Sequence, residues 1–219
     1  EVGPEPLPGT VKVEHMFPMR SLDKGVNDED IKHFVTQSTF GGKRYLAQPK
    51  LDGSALSLEY VSGNLHRAAT RGSGERGEDV TLNAKQVANI PSRLKLPVDC
   101  HIRGEVVMPL KTFEEKYIEV SPNPRNLCSG ALRQKHGDGK ADASDLVFCA
   151  YDVKFVNSPP EVTYDSELLD LLKNKIGIEP APWTIFESDN PQTEMIEHTK
   201  EWSTKRESYP FEIDGIVFK

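Results

Sequence analysis

Two periods organise the hydrophobic and polar positions of this chain. Over residues 44–71 the period is two: Leu56, Leu58 and Tyr60 alternate with Ser57 and Glu59, and Gly63-Asn64 separates that run from 65–71, which predicts a β-hairpin. Earlier, Asn27-Asp28-Glu29-Asp30 sets a cap and first-turn acids ahead of Ile31, Phe34 and Val35, and predicts a short amphipathic helix near 28–38. The helical period predicts further helices over 77–90 and 111–120, another from the polar segment 121–126 to about Gln134, and two more over 166–174 and 191–207. Strands are predicted over 101–108, 145–155 and 211–219. Strands fall in hairpins, helices sit irregularly between them, and no βαβ rhythm, internal repeat or heptad run recurs. The expected class is α+β, with mainly antiparallel sheets flanked by helices.

Composition refines the edges of this picture. Residues 1–9 hold three prolines and two glycines and begin with Glu, so they are expected to form a flexible arm, with the domain over 10–219. At 219 residues and 37 % hydrophobic, the chain suffices for one large domain or two small ones. No apolar run approaches the ~18 residues of a membrane helix, and no basic-then-apolar leader opens the chain. A cytoplasmic, nuclear or nucleoid-associated protein is therefore expected, neither secreted nor membrane-bound, and nothing points to an oligomer. Cys100, Cys128 and Cys149 lie too far apart for a Cys-x-x-Cys metal pair and are odd in number, the pattern of reduced thiols. The formal charge of −7 disfavours a duplex binder that relies on many phosphate contacts, while leaving room for a local basic groove.

Candidate chemistry sits in short polar segments. Gln48-Pro49-Lys50-Leu51-Asp52-Gly53 enters the hairpin; if extended, it points Gln48, Lys50 and Asp52 to one face, with Pro49 marking an edge or a bulge. Alone, Asp52-Gly53 is also an ordinary turn and Lys50 a solvated charge. Thr70-Arg71-Gly72-Ser73-Gly74-Glu75-Arg76-Gly77-Glu78-Asp79 offers glycine backbone and arginine forks suited to a phosphate or ribose. Its spacing is neither that of a P-loop nor of the dinucleotide fingerprint, and it also suits a flexible loop. Arg103-Gly104-Glu105 places two charges on one face of an apolar strand, for a ligand or for a structural ion pair. Asn123-Pro124-Arg125-Asn126 followed by Gly130-Ala131-Leu132-Arg133-Gln134 reads as an N-capped helix with Arg125 and Arg133 near a common face, or simply facing water. Glu212-Ile213-Asp214-Gly215-Ile216-Val217-Phe218-Lys219 by itself is a hairpin signal.

In order and combination these segments are more specific than any one of them. Lys-Leu-Asp-Gly at 50–53, Ala-Thr-Arg-Gly at 69–72 with Gly-Glu-Asp at 77–79, Arg-Gly-Glu-Val at 103–106, Asn-Pro-Arg-Asn at 123–126 with Leu-Arg-Gln at 132–134, and Glu-Ile-Asp-Gly-Ile-Val at 212–217 recur together in one family. The chain closely resembles the adenylation (nucleotidyltransferase) domain of bacterial-type NAD-dependent DNA ligases. Met19-Arg20-Ser21-Leu22-Asp23 and Phe148-Cys149-Ala150-Tyr151 extend the match, which runs from about 10 to 219.

The resemblance implies the fold of the covalent ligase superfamily and a chemistry acting on nicked duplex DNA. In that family the lysine matching Lys50 attacks the α-phosphate of NAD, expels nicotinamide mononucleotide and becomes adenylylated. The AMP then passes to a DNA 5′-phosphate, and the 3′-hydroxyl at the nick displaces it. With an ordinary pKa near 10.4, only about one lysine amine in 2,500 is neutral at pH 7. Nearby cations and partial desolvation are needed, and Arg71, Lys219 and a bound Mg2+ are the expected sources.

By the same resemblance Asp52, Glu105 and Asp214 are expected to organise the hydrated metal. Ser21, Leu22, Gln48 and Tyr151 would surround adenine, Tyr151 by stacking. Arg71 and Glu105 would hold the ribose, with Lys219 also at the nucleotide. Arg125 and Arg133 would face the DNA backbone, contacts that position without reading sequence. Gln48 stands where the family commonly has Glu and can still accept from the adenine amino group through its carbonyl oxygen. Ser73 replaces a usual Asp, and Cys128 replaces a small alanine as a buried thiol. The domain is expected to be incomplete at its C-terminal end, and nick sealing by this chain alone is not expected. The alternatives are an ATP-using DNA or RNA ligase of the same superfamily and a non-catalytic adenine-nucleotide or DNA-binding module.

Overall fold

The structure, a computed structural model, describes residues 10–20, 22–37, 44–135, 139–157 and 159–219. The expected arm at 1–9 and the adenine candidate Ser21 lie outside the described residues. The chain runs β1 (Lys12–Glu14), α1 (Asp28–Gln37), β2 (Tyr45–Leu51), β3 (Ser54–Val61), β4 (Asn64–Thr70), β5 (Arg76–Glu78), α2 (Thr81–Ala84), β6 (Cys100–Val107), α3 (Leu110–Lys116), α4 (Pro124–Arg133), β7 (Val147–Phe155), α5 (Asp165–Leu171), β8 (Thr184–Phe186), α6 (Pro191–Lys205) and β9 (Ile213–Phe218). The strands form a four-stranded sheet β4-β3-β6-β7, a three-stranded sheet β8-β2-β9 and a ribbon β1-β5. All their pairings are antiparallel, as an α+β fold of this kind requires. No helix among the described residues is long and apolar enough to cross a membrane.

Alternation along β3 and β6 decides which face of the larger sheet is available for chemistry. Leu56 and Leu58 are 0 % exposed, as are Cys100, Ile102 and Val106, and each such aliphatic side chain contributes roughly 1.5–3 kcal/mol by leaving water. Ser57 and Glu59 on β3, and His101, Arg103 and Glu105 on β6, therefore stand on the opposite face. Helix α4 packs on the core side through Pro124, Leu127, Cys128, Ala131 and Leu132, one apolar stripe at helical spacing. Its start is capped as the sequence predicts, the Asn123 side chain accepting from the Asn126 N–H at 2.9 Å. The cysteines are free and buried, and burial pushes each thiol up to about 12.

Two elements differ from expectation. β3 and β4 make the hairpin, but β2 leaves it to pair with β8 and β9 in the other sheet, so Asp52-Gly53 carries the chain between sheets. Only glycine fits at 53, where a Cβ would lie 2.0 Å from the Val106 carbonyl oxygen. Segment 77–90 is not one helix: β5 takes its start, and α2 spans four residues. The Glu78 N–H donates to Thr70 Oγ1 at 3.0 Å and the Val80 N–H to the Ala68 carbonyl at 2.9 Å, so donors that would open a helix bond β4 instead. Asp214-Gly215 lies within β9, inside the strand predicted over 211–219, and is not the hairpin turn that the dipeptide alone suggests. Strands β1 and β8, of three residues each, are too short to show a period.

The two larger sheets meet over a small apolar cluster of Leu51, Val107, Cys149, Ala181 and Ile213, with Trp202, Tyr209 and Phe211 packed against it. Tyr45, Ala47, Phe186 and Met195 form a separate cluster that seats Ile31 and Val35 of α1 on the smaller sheet. The C-terminal end of β2 is thereby held against β6 and β7.

Candidate active site

Lys50 is exposed near the end of β2, and its Nζ donates to Asp214 Oδ2 at 2.7 Å and Oδ1 at 2.9 Å. The backbone explains the pairing. Lys50 lies opposite Gly215 and Leu51 opposite Ile213, so Asp214 is the extra residue of a β-bulge that aims its side chain at the amine. Pro49 thus does neighbour a bulge, although β2 is the middle strand of its sheet and not an edge.

Past the bulge, the Asp52 N–H donates to the Glu212 carbonyl at 2.9 Å, and Asp52 Oδ1 lies 3.3 Å from Nη1 of Arg125. Half-buried Glu105 accepts from the N–H of Gly53, with Arg125, Arg71 and Asp52 close enough to act on its charge. Burial outweighs the two arginines and the hydrogen bond and pushes the Glu105 carboxyl up to about 8, so near pH 7 it is mostly a neutral acid. Tyr151 stands in the same group: burial, then the charge of Glu105, raises its hydroxyl well above the usual phenol value. Lys219 Nζ donates to the Tyr151 carbonyl at 2.9 Å and lies 3.7 Å from Asp165 Oδ2.

Gln48 is 2 % exposed. Its Nε2 donates to the Ala181 carbonyl at 3.1 Å, and the Ala181 N–H donates to the Ala150 carbonyl at 2.8 Å, which ties β2 to β7 beside Tyr151. Among the described residues, Gln48 Oε1 is buried without a hydrogen-bond partner. Such an acceptor costs on the order of 1–3 kcal/mol until a donor reaches it, which marks a place for a ligand N–H. Leu22 is 59 % exposed, and Ser21 lies outside the described residues.

The expected metal set does not assemble. Asp214 is engaged by Lys50 and Asp52 by Arg125. No group of three or more His, Cys, Asp or Glu among the described residues is placed to hold a metal ion, so Asp52, Glu105 and Asp214 do not fit Mg2+ as they stand. The expected surroundings of Lys50 change too, since the partner found on its amine is a carboxylate rather than Arg71 or Lys219. Arg133 is turned inward: its Nε lies 2.6 Å from Oε2 of Glu78, whose side chain is 2 % exposed. A buried carboxylate demands a cation, and Arg133 supplies it instead of pointing freely toward a DNA backbone. Glu78 lies inside the Gly-Glu-Asp motif, and the sequence does not show what it pairs with. The signal was there in Glu78 and Arg133, but nothing along the chain says that β5 and α4 meet.

A strand-borne lysine flanked by an amide, carboxylates and arginines, at the junction of two antiparallel sheets, is the arrangement of the covalent nucleotidyltransferase class. A family model described as NAD-dependent DNA ligase adenylation domain matches residues 9–219, and the chain belongs to that family. The DNA ligase of Shouchella clausii is 38 % identical over 231 residues, covering 100 % of this chain and 33 % of the relative. The DNA ligase of Halalkalibacterium halodurans is 39 % identical over 230 residues, with 100 % and 33 % covered. The chain thus spans about a third of the length of the curated relatives it matches. A solved structure named "Pmar-Lig_Pre." superposes with a TM-score of 0.50 at 15 % identity, over 84 % of this chain and 40 % of that one, a likeness of fold alone.

Proposed function

We propose that this chain is the self-adenylating unit of an NAD-dependent DNA ligase, with Lys50 as the nucleophile. The observation that carries this reading is the placing of two groups on one strand: the buried Oε1 of Gln48, unpartnered among the described residues, and, two residues on, the exposed amine of Lys50. Alternate residues of a strand point to one side, about 6.5–7 Å apart along it. An adenine amino group donating to Gln48 would anchor the base, and the sugar-phosphate end would run toward Lys50. Tyr151 offers its ring to the base. Arg71 and Glu105 take the ribose, and Glu105, as a neutral carboxyl, can donate as well as accept.

Attack forms a bond between Lys50 Nζ and the α-phosphorus and breaks the bond from that phosphorus to the bridging oxygen, which leaves on nicotinamide mononucleotide. An ammonium nitrogen has no lone pair to offer, so before attack a proton must leave Lys50 and its pair with Asp214 must open. Asp214 is the carboxylate in position to take it. Arg71 and Lys219 offset the charge that gathers on the phosphate. The AMP is then passed to the 5′-phosphate of nicked duplex DNA. Arg125 suits a backbone phosphate there, because its side chain is 62 % exposed and its pair with Asp52 is a weak, solvated one.

Incubation of the protein with NAD, and separately with ATP, followed by mass spectrometry, tests the reading. One adenylyl group gained from NAD supports it. Transfer from ATP but not from NAD overturns the NAD assignment, and no transfer from either overturns Lys50 as nucleophile.

A further inference from the structure

Residues 10–20 form a strap across the sheet face that carries Arg71. β1 pairs with β5, the His15 N–H donates to the Glu75 carbonyl and the Met19 N–H to the Gly74 carbonyl, both at 2.8 Å. The Pro18 carbonyl accepts from Arg103 Nη1 at 3.1 Å, and the Phe17 ring stands edge-on to His101 with centroids 5.3 Å apart. One side chain of the strap reaches further. His15 Nε2 lies 2.9 Å from the Thr70 carbonyl oxygen and 3.2 Å from that of Arg71, where β4 ends and the loop to β5 begins. Gly77 makes room for the ring, since a Cβ there would lie 2.9 Å from His15 Nε2 and 1.8 Å from the Thr70 oxygen.

Carbonyl oxygens only accept, so Nε2 carries the proton and donates to both, which fixes the ring's orientation. Burial holds the His15 ring below its usual pKa, with Arg103 and Arg67 adding to the effect against the pull of the two carbonyls, so the ring is neutral near pH 7. His101 of β6 faces it as well and is likewise lowered by burial, with Glu59 opposing.

We propose that His15 is a positioning residue for Arg71: its ring N–H ties down the peptide from which Arg71 extends and so sets the arginine's reach toward the nucleotide. The proposal rests on the assignment of Arg71 to the nucleotide. An arginine side chain is only as well placed as its own backbone, and this backbone leads into a loop whose Gly72 and Gly74 sit at φ values of 54° and 94°. The loop closes on itself through the Gly74 N–H, which donates to the Arg71 carbonyl at 3.0 Å, and the His15 ring adds a clamp from outside the loop on that carbonyl and on that of Thr70.

His15→Phe keeps the bulk of the ring and removes its N–H, while His15→Gln restores a donor. The readouts are AMP affinity by calorimetry, the extent of adenylylation by saturating NAD, and the thermal midpoint. His15→Phe is expected to weaken AMP binding about three- to tenfold, the loss of one such hydrogen-bonded anchor, with adenylylation at saturation unchanged within about twofold. His15→Gln should recover most of the affinity, and His15→Phe should do nothing further in an Arg71→Ala background. If His15→Phe lowers the midpoint sharply, His15→Asn, whose side chain is too short to reach the carbonyls, carries the same expectations. Unchanged affinity, a loss that adds in full to that of Arg71→Ala, or a loss that His15→Gln does not recover overturns the proposal. If Arg71→Ala itself leaves AMP affinity unchanged, the assignment of Arg71 falls and this proposal with it, while adenylylation of Lys50 in the same samples reports separately on the ligase reading.

Discussion

Lys50 and Asp214 are joined by hydrogen bonds of 2.7 and 2.9 Å across a β-bulge that interrupts the ladder between β2 and β9. Their side chains are 48 % and 41 % exposed, so the pair adds little to stability. Its effect falls on the amine, which is held as a donor until something displaces the carboxylate. Asp214→Ala should therefore let Lys50 react faster with a small amine-reactive ester near neutral pH, read by peptide mass spectrometry, while the thermal midpoint moves by no more than about 2–4 °C. Labelling of Lys50 at the wild-type rate would show that the pair does not restrain the amine.

The Gln48 oxygen, unpartnered among the described residues, makes a statement about the base. AMP carries an exocyclic amino group that can donate to it and IMP does not. The wild type should prefer AMP over IMP by roughly tenfold, the worth of one buried hydrogen bond, and Gln48→Leu should erase the preference. Calorimetry giving equal affinities in the wild type would place the adenine elsewhere.

Glu105 links stability to pH. Its carboxyl sits at about 8 in the folded protein against 4.5 for an ordinary glutamate, so between those values the native state holds a proton that the unfolded chain has released. The stability tied to that proton is complete below about pH 4.5 and is lost as the pH rises through about 8, a change on the order of a few kcal/mol. In urea unfolding from about pH 5 to about pH 9, the stability of the wild type should fall relative to that of Glu105→Gln, which stays neutral throughout. Parallel curves would contradict the buried acid.

Breaking the Glu78–Arg133 pair from its two sides should not be equivalent. Arg133→Ala removes the cation beside a carboxylate that is 2 % exposed, whereas Glu78→Gln leaves an arginine, 28 % exposed, that still reaches water. Arg133→Ala is expected to cost about 3–5 kcal/mol of stability and Glu78→Gln less. If Arg133→Ala keeps wild-type stability yet binds nicked DNA more weakly and with a shallower salt dependence, Arg133 serves phosphate and not the fold.

The sequence made those features legible that depend on neighbours along the chain. The alternation of Leu56, Leu58 and Tyr60 gave β3 and its polar face, and Asn123-Pro124 gave the capped start of α4. What it concealed depends on which strand lies beside which. β2 reads as part of a hairpin because nothing local says that Asp52-Gly53 crosses between sheets. A bulge inside β9 and a hairpin turn share the same Asp-Gly signal, so the contact between Asp214 and Lys50 could not be told from that dipeptide. The inward turn of Arg133 follows from the burial of Glu78, which becomes visible only once β5 is seen to displace the expected helix.

The most direct measurement is peptide mapping of the adenylyl group after incubation with NAD, for the wild type beside Lys50→Ala and Lys50→Arg. Lys50 is 48 % exposed and packs against little, so both variants should fold as the wild type does. A guanidinium stays protonated and is a poor nucleophile, so arginine cannot substitute for the amine. The account predicts AMP on the peptide containing Lys50 in the wild type and on no peptide of either variant. AMP on another residue, or on either variant, would contradict it.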